Sequence, residues 1–321
     1  MNIFVDLAMS PNALAALRAG TAGHRLLFSR TPAVSVLATP SADPQFAIAD
    51  VALGQPDPKA IAEARQLIWI QVSSSGITRY DKPQFRALMA KRQIAVSNSA
   101  SVYCEPCAVH ALSFLVAQAR CLPLALQTKT PNGAPAWNEL RQSCGTLRGE
   151  TILIVGYGAI GKRLAQLLLP FGANVLAYRR QARGEEGVPM VTDVELASAL
   201  RQAGHIVNIL PESPQTWRFF DAARFAEISH GSVFYNIGRG TTVDQNALLE
   251  ALHSGCLKAA WLNVTDPEPL PDNHPLWQEP NCFITPHVAG GHADESLSLV
   301  RHFVENFERY VRGEPLLDRV M

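Results

Sequence analysis

The stretch Thr151-Ile152-Leu153-Ile154-Val155-Gly156-Tyr157-Gly158-Ala159-Ile160-Gly161 decides how this chain is read. The apolar run through Val155 has the length and β-branched content of a buried parallel strand. Three glycines spaced G-x-G-x-x-G follow at once, and an apolar-periodic helix opens behind them and stops at Pro170. The spacing alone is a weak signal; the flanking strand and helix make it informative. Gly156 permits a tight turn, Gly158 lets a pyrophosphate approach the backbone, and Gly161 lets the helix press against the strand. Ala159 and Ile160 then lie in the first helical turn, whose N–H groups and dipole stabilise phosphate charge. The competing reading is a strand–helix turn with no ligand; the agreement of all three glycines with both flanks favours a bound dinucleotide.

Downstream, Asn174–Tyr178, His205–Leu210, Gly231–Asn236, Ala259–Val264 and Cys282–Ile284 are further strand candidates, with helices at Ile160–Leu169, Val194–Gln202 and Gln245–His253. Strands alternating with helical crossovers predict a doubly wound parallel sheet. Upstream, Ile3–Val5, Leu26–Phe28, Phe46–Ile48, Leu67–Val72 and Ile94–Val96 read as strands of a smaller α/β unit, with helical segments such as Pro11–Ala19 and Pro58–Arg65. The amphipathic segment Asp294–Gly313 predicts a long last helix. Its return to the first unit would make that domain discontinuous, as 1–103 with 291–321 around a dinucleotide-binding domain at 104–290.

A length of 321 residues points to two domains. Lys plus Arg equals Asp plus Glu at 28 each, so no long-range field draws nucleic acid or an anionic membrane. No run of eighteen apolar residues occurs and the N-terminal residues lack a basic segment, so neither a membrane span nor a signal peptide is expected. Six scattered cysteines fit reduced thiols in the cytoplasm. Cys104-x-x-Cys107-x-x-His110 resembles a metal site, but no second Cys/His pair completes it. It reads instead as the opening of a helix from about Glu105, with Pro106 in the first turn, and no metal is expected. The Pro/Gly/Trp-rich stretch Thr130–Asn138 reads as a loop or arm that could pack against a partner subunit.

Eighteen residues past Gly161, where an NAD enzyme usually places an acid on the adenosine ribose, stands Tyr178-Arg179-Arg180-Gln181. A guanidinium can hold a 2′-phosphate that a carboxylate would repel, so Arg179 and Arg180 favour NADP(H) over NAD(H). Glu185 and Glu186 lie beyond the strand end and are poor substitutes.

Three more residues follow predicted strands: Arg239 in Asn236-Ile237-Gly238-Arg239-Gly240, Glu268 in Asp266-Pro267-Glu268-Pro269-Leu270-Pro271, and His287 in Thr285-Pro286-His287-Val288-Ala289-Gly290-Gly291. Loops at the carboxyl ends of parallel strands converge on one crevice beside the cofactor. Hydride transfer to a carbonyl leaves charge on oxygen, so a positioned acid must supply a proton, and imidazolium suits neutral pH. A carboxylate favours and orients that charged form, and an arginine can bind a substrate carboxylate and polarise the carbonyl. Singly each has a structural reading; the joint pattern is much less probable by accident.

These residues resemble the D-isomer-specific 2-hydroxyacid dehydrogenase family over essentially the whole chain. Further support comes from Leu147-Arg148-Gly149, from Pro211–Thr216 with its Pro-Gln-Thr, and from Arg239-Gly240-x-x-Val243-Asp244. The resemblance implies two Rossmann-like domains, the cofactor domain inserted into a smaller flavodoxin-like substrate domain, with dimerisation through the cofactor domain. It implies Arg239 for substrate binding, Glu268 as the carboxylate partner of the histidine, and His287 as proton donor or acceptor. Leu210, Pro211, Ile237, Asn263 and His287 are implied beside the cofactor. Ser75 and Gly76, in Ser73-Ser74-Ser75-Gly76-Ile77, lie where the family holds the substrate carboxylate on backbone amides.

Two positions depart from the family pattern. Asn263 replaces a usual Asp, which keeps hydrogen-bonding capacity and removes a charge, and Val109 replaces a frequent Glu before His110. The other histidines, His110 among them, receive a structural reading, with some caution at His292. The function expected is an NADP(H)-linked oxidoreductase of small 2-oxo and D-2-hydroxy acids, with glyoxylate and hydroxypyruvate as first substrates. A catalytically silent nicotinamide-sensing or corepressor-like protein on the same fold is the alternative.

Overall fold

The computed structural model describes residues 1–33, 42–180, 184 and 187–321. Gln181, Glu185 and Glu186 lie outside the described residues. The chain folds as two units, Met1–Tyr103 with Gly291–Met321, and Cys104–Gly290.

In the first unit run β1 (Asn2–Asp6), α1 (Pro11–Gly20), β2 (Arg25–Phe28), β3 (Val51–Gly54), α2 (Pro58–Glu63), β4 (Trp69–Val72), α3 (Pro83–Arg92), β5 (Ala95–Ser97) and the opening of α4 (Ala100–Ala119). All five strands are parallel in the order β2-β1-β3-β4-β5, which is the flavodoxin-like order. Phe46–Ile48 is not a strand. Pro44 at the first turn and Asp43, whose side chain accepts from the Gln45 amide, close a 3-10 turn there, and the strand is the next apolar run, Val51–Gly54.

The second unit holds α5 (Leu122–Gln127), α6 (Pro135–Ser143), β6 (Thr151–Val155), α7 (Ala159–Leu168), β7 (Asn174–Tyr178), β8 (Met190–Val191), α8 (Leu196–Gln202), β9 (His205–Asn208), α9 (Ala222–Ala226), β10 (Ser232–Asn236), α10 (Gln245–His253), β11 (Leu257–Leu262) and β12 (Cys282–Ile284). Its order is β12-β11-β10-β9-β6-β7-β8, all parallel, doubly wound about a switch point between β6 and β9. Strand alternation divides the core between two faces. Leu153, Val155, Ile206 and Phe234 pack with Leu200, Phe225, Leu248 and Leu252, whereas Ile152, Ile154, Val207 and Tyr235 pack with Phe114, Leu115, Leu164 and Leu168. The short strand β8 escaped the sequence reading because two residues carry no periodicity.

Helix α4 is long and apolar enough by composition to cross a membrane, yet Ala108, Ala111, Phe114 and Leu115 are buried in the core against β6. It begins at Ala100 rather than near Glu105, so Pro106 lies inside the helix and not in its first turn. Part of the expected arm Thr130–Asn138 is helical, because α6 begins at Pro135. The last helix, α11 (Glu295–Val311), packs in the first unit, where Phe303 stacks on Trp69 at 5.2 Å.

Candidate active site

The glycine loop joins β6 to α7. Gly156 has φ +108°, and a Cβ there would stand 2.8 Å from the Ile209 carbonyl carbon and oxygen. At Gly161 a Cβ would meet the Gly156 carbonyl oxygen at 2.7 Å. Both glycines are therefore dictated by the protein's own backbone. Gly158 differs: a Cβ there meets nothing within 4 Å, so the space beside it is open to a ligand. Gly158 caps α7, with Ala159 and Ile160 opening the helix behind it, and this open cradle at a helix N-terminus fits a pyrophosphate.

Arg179 and Arg180 follow β7 directly, Arg179 half-buried and Arg180 exposed. Among the described residues neither guanidinium has a hydrogen bond or ion pair. The nearby acid Asp193 accepts from the Tyr178 hydroxyl at 2.6 Å. Burial and that carboxylate push the phenol up to about 12.

The loop after β9 carries Leu210 and Pro211. The Leu210 amide donates to Asn208 Oδ1, and a Cβ at Gly238 would strike the Leu210 carbonyl oxygen at 2.6 Å. Pro211 is exposed, whereas the Ile237 side chain is buried within the core. Asn208 and Asn236 end adjacent strands as polar residues in apolar runs. Asn208 Nδ2 donates to Asn236 Oδ1 and to Thr242 Oγ1, and both Asn236 Nδ2 and Thr242 Oγ1 donate to the Arg239 carbonyl. This network, which the sequence reading did not single out, fixes the backbone of Arg239. Burial draws the Arg239 guanidinium down from its ordinary value, and the carboxylates of Glu212 and Glu268 push it back.

Glu268 sits on the loop after β11. Both Asp266–Pro267 and Glu268–Pro269 are cis. Gln245, the first residue of α10, clamps the loop by donating to the Asp266 carbonyl at 2.6 Å and accepting from its amide at 3.0 Å. A Cβ at Gly240 would lie 1.9 Å from the Thr265 carbonyl oxygen, so glycine is what lets the Arg239 loop press against this one.

His287 follows β12, and its Nδ1 lies 2.9 Å from Glu268 Oε2, with the two side chains 25% and 29% exposed. Its φ of +50° is a left-handed conformation that a non-glycine residue adopts only under constraint. The constraint is visible. The His287 amide donates to the carbonyls of Asn263 and Thr285, and Asn263 Oδ1 accepts from Thr285 Oγ1 and from the amides of Val288 and Ala289. The structure thus brings Arg239, Glu268, His287 and Asn263 together at the carboxyl ends of β10, β11 and β12.

Ser75 and Gly76 belong to the first unit, on the loop after β4. The carbonyls of this loop are all engaged: Ser73 by the Tyr103 hydroxyl, Ser74 by the Ser99 amide, Ser75 by Asn98 Nδ2 and Gly76 by the Ser74 hydroxyl. The amides of Ser75 and Gly76 have no partner among the described residues. With the carbonyls tied back, these two amides are the donors that the loop leaves open among the described residues.

When bound, a nicotinamide cofactor supplies or accepts the hydride. With Nδ1 committed to Glu268, His287 is left with Nε2 to hold or deliver a proton.

The family model described as D-isomer specific 2-hydroxyacid dehydrogenase, NAD binding domain, matches residues 112–289. The chain is 36% identical over 233 residues to the human glyoxylate reductase/hydroxypyruvate reductase, covering 70% of each chain. It is 30% identical to glyoxylate/hydroxypyruvate reductase B of Citrobacter koseri, over 84% of this chain and 83% of that one. Among solved structures, a D-isomer specific 2-hydroxyacid dehydrogenase family protein from Aeromonas salmonicida superposes with TM-score 0.78 at 26% identity, over 100% of this chain and 98% of that one. The fold also matches the D-mandelate dehydrogenase of Rhodotorula graminis, with TM-score 0.81 at 20% identity over 100% and 97% of the two chains. The chain belongs to the D-isomer specific 2-hydroxyacid dehydrogenase family and is an enzyme of that class.

Proposed function

We propose that this dehydrogenase works as an NADPH-dependent reductase of small 2-oxo acids, glyoxylate and hydroxypyruvate first among them. The observation that carries the reading is the His287–Glu268 contact at 2.9 Å, with the Arg239 guanidinium in the field of the same carboxylate. In reduction, protonated His287 donates from Nε2 to the carbonyl oxygen as its carbon is reduced, and Glu268 steadies the charged ring. In the second unit Arg239 binds the substrate carboxylate, and in the first unit the amides of Ser75 and Gly76 are donors for an anionic group. The names of the human and Citrobacter relatives support the same pair of substrates.

Preference for NADPH rests on Arg179 and Arg180, two guanidinium groups at the end of β7 with no partner among the described residues and no acid in the ribose position. The protein is further read as a cytoplasmic homodimer. The exposed Leu122, Leu124 and Leu126 of α5 support a subunit contact, which light scattering of the eluted protein tests directly.

The deciding experiment is a spectrophotometric matrix of 2-oxo acids against NADPH and NADH. Turnover of glyoxylate or hydroxypyruvate with NADPH ahead of NADH is the expected result. Cofactor binding without turnover across the whole panel would replace this reading with a nicotinamide-sensing protein.

A further inference from the structure

Cys104, Cys107 and His110 recur every third residue along α4, and each is directed at a loop of the site. The Cys104 thiol donates to the Ala159 carbonyl at 3.3 Å, Cys107 lies in the electrostatic field of Arg239, and His110 Nε2 is 3.3 Å from Thr285 Oγ1. The last contact continues inward, because Thr285 Oγ1 donates to Asn263 Oδ1 at 3.1 Å.

Asn263 Oδ1 faces two backbone amides, which can only donate, so this atom is the oxygen and not the amide nitrogen. It therefore accepts from Thr285, whose single hydroxyl proton is spent on that bond. Thr285 Oγ1 can then only accept from His110, so His110 carries a proton on Nε2. Burial lowers the His110 pKa and so disfavours the charged ring, which is braced edge-on by Phe114 at 4.4 Å. Phe114 leans on Trp261 at 5.0 Å, and Trp261 Nε1 donates to Gln118 Oε1 at 2.7 Å, so α4 grips the ends of β11 and β12 at two points.

We infer that His110 is a positioning residue for His287, acting through Thr285 and Asn263. Its N–H orients the Thr285 hydroxyl onto Asn263, and Asn263 and Thr285 together suspend the backbone on both sides of His287 in its left-handed conformation. The ring on Glu268 is thereby held from outside the site, by a helix that does not carry any of the three reacting side chains. This role rests on the reading of His287 as the proton donor.

The test replaces His110 with Phe, which keeps the ring against Phe114 and removes the donor, and with Gln, which restores an N–H at similar reach. His110→Phe should lower kcat about tenfold with the Kd for NADPH within about twofold, since a small misplacement of the acid costs turnover rather than binding. His110→Gln should recover most of the loss. Thr285→Val should reproduce the defect, Thr285→Ser should rescue it, and the Phe/Val double variant should be no worse than either single one. The Thr285 pair keeps the test open where His110→Phe fails to fold. A readout independent of turnover is the Nδ1–H proton resonance of His287, identified by its loss in His287→Gln, which should shift in His110→Phe and return in His110→Gln. A wild-type protein silent on every 2-oxo acid would overturn the reductase reading while leaving this resonance to decide. An unchanged resonance and kcat in His110→Phe, equal losses in the Phe and Gln variants, or NADPH affinity falling in step with kcat would overturn the role given to His110.

Discussion

His287 Nδ1 and Glu268 Oε2 lie 2.9 Å apart although they stand nineteen positions apart in the chain, with β12 between them. The contact commits one ring nitrogen to a carboxylate and leaves the other for chemistry. Replacing His287 with Ala should lower kcat by about 10²- to 10⁴-fold, the range of a lost general acid, while NADPH affinity measured by fluorescence titration stays nearly intact. Loss of turnover and binding together would mark the histidine as structural.

The two arginines after β7 predict a change of cofactor. If Arg179 and Arg180 hold the 2′-phosphate as proposed, Arg179→Asp/Arg180→Ala sets a carboxylate against it and removes its charge-assisted bonds. Each such bond contributes about 1.5–3 kcal/mol, so kcat/KM for NADPH should fall at least about tenfold, and that for NADH far less. Equal losses for the two cofactors in steady-state assays would remove the phosphate-pocket argument.

Gly240→Ala should be among the more damaging small substitutions outside the reacting groups. Its methyl group would sit 1.9 Å from the Thr265 carbonyl oxygen, so either the Arg239 loop or the Glu268 loop must move. Overpacking of this kind costs about 1–3 kcal/mol. A melting temperature lower by several degrees, with kcat reduced more than about tenfold, is expected from thermal unfolding and assay together. Wild-type stability and turnover would show that the loops are not in contact as described.

A pH effect on stability should trace to His205, which is buried in β9 with Nδ1 2.8 Å from the Tyr235 hydroxyl. Burial, with Lys258 nearby, pulls its pKa down to about 4. Between that value and the unfolded value near 6.5, the unfolded chain binds a proton that the folded chain refuses. The stabilising contribution is therefore complete above about pH 6.5 and is lost as the pH falls toward about 4, amounting to about 3 kcal/mol at most. Urea unfolding at pH 7 and pH 4.5 should show a steeper acid loss in the wild type than in His205→Gln. Parallel losses in the two proteins would assign the acid sensitivity to other groups.

Local chemistry made much of this molecule readable from its residues. An apolar run followed by Gly156, Gly158 and Gly161 can close only one kind of turn, because backbone sterics and the missing Cβ act within a few residues. Most of the parallel strands were equally plain, since strands buried on both faces must be apolar throughout. Where local and longer-range signals competed, the reading slipped. Pro44 and Asp43 turned Phe46–Ile48 into a 3-10 turn, and α4 ran through Pro106 because its apolar face had a sheet to cover. The support of the site belonged to the folded chain alone. His110 and Thr285 are 175 residues apart, and Asn263 and Ala289 are 26 apart. Hydrogen bonds between such residues have no period and no spacing rule, because they exist only after the sheet has set its strands side by side.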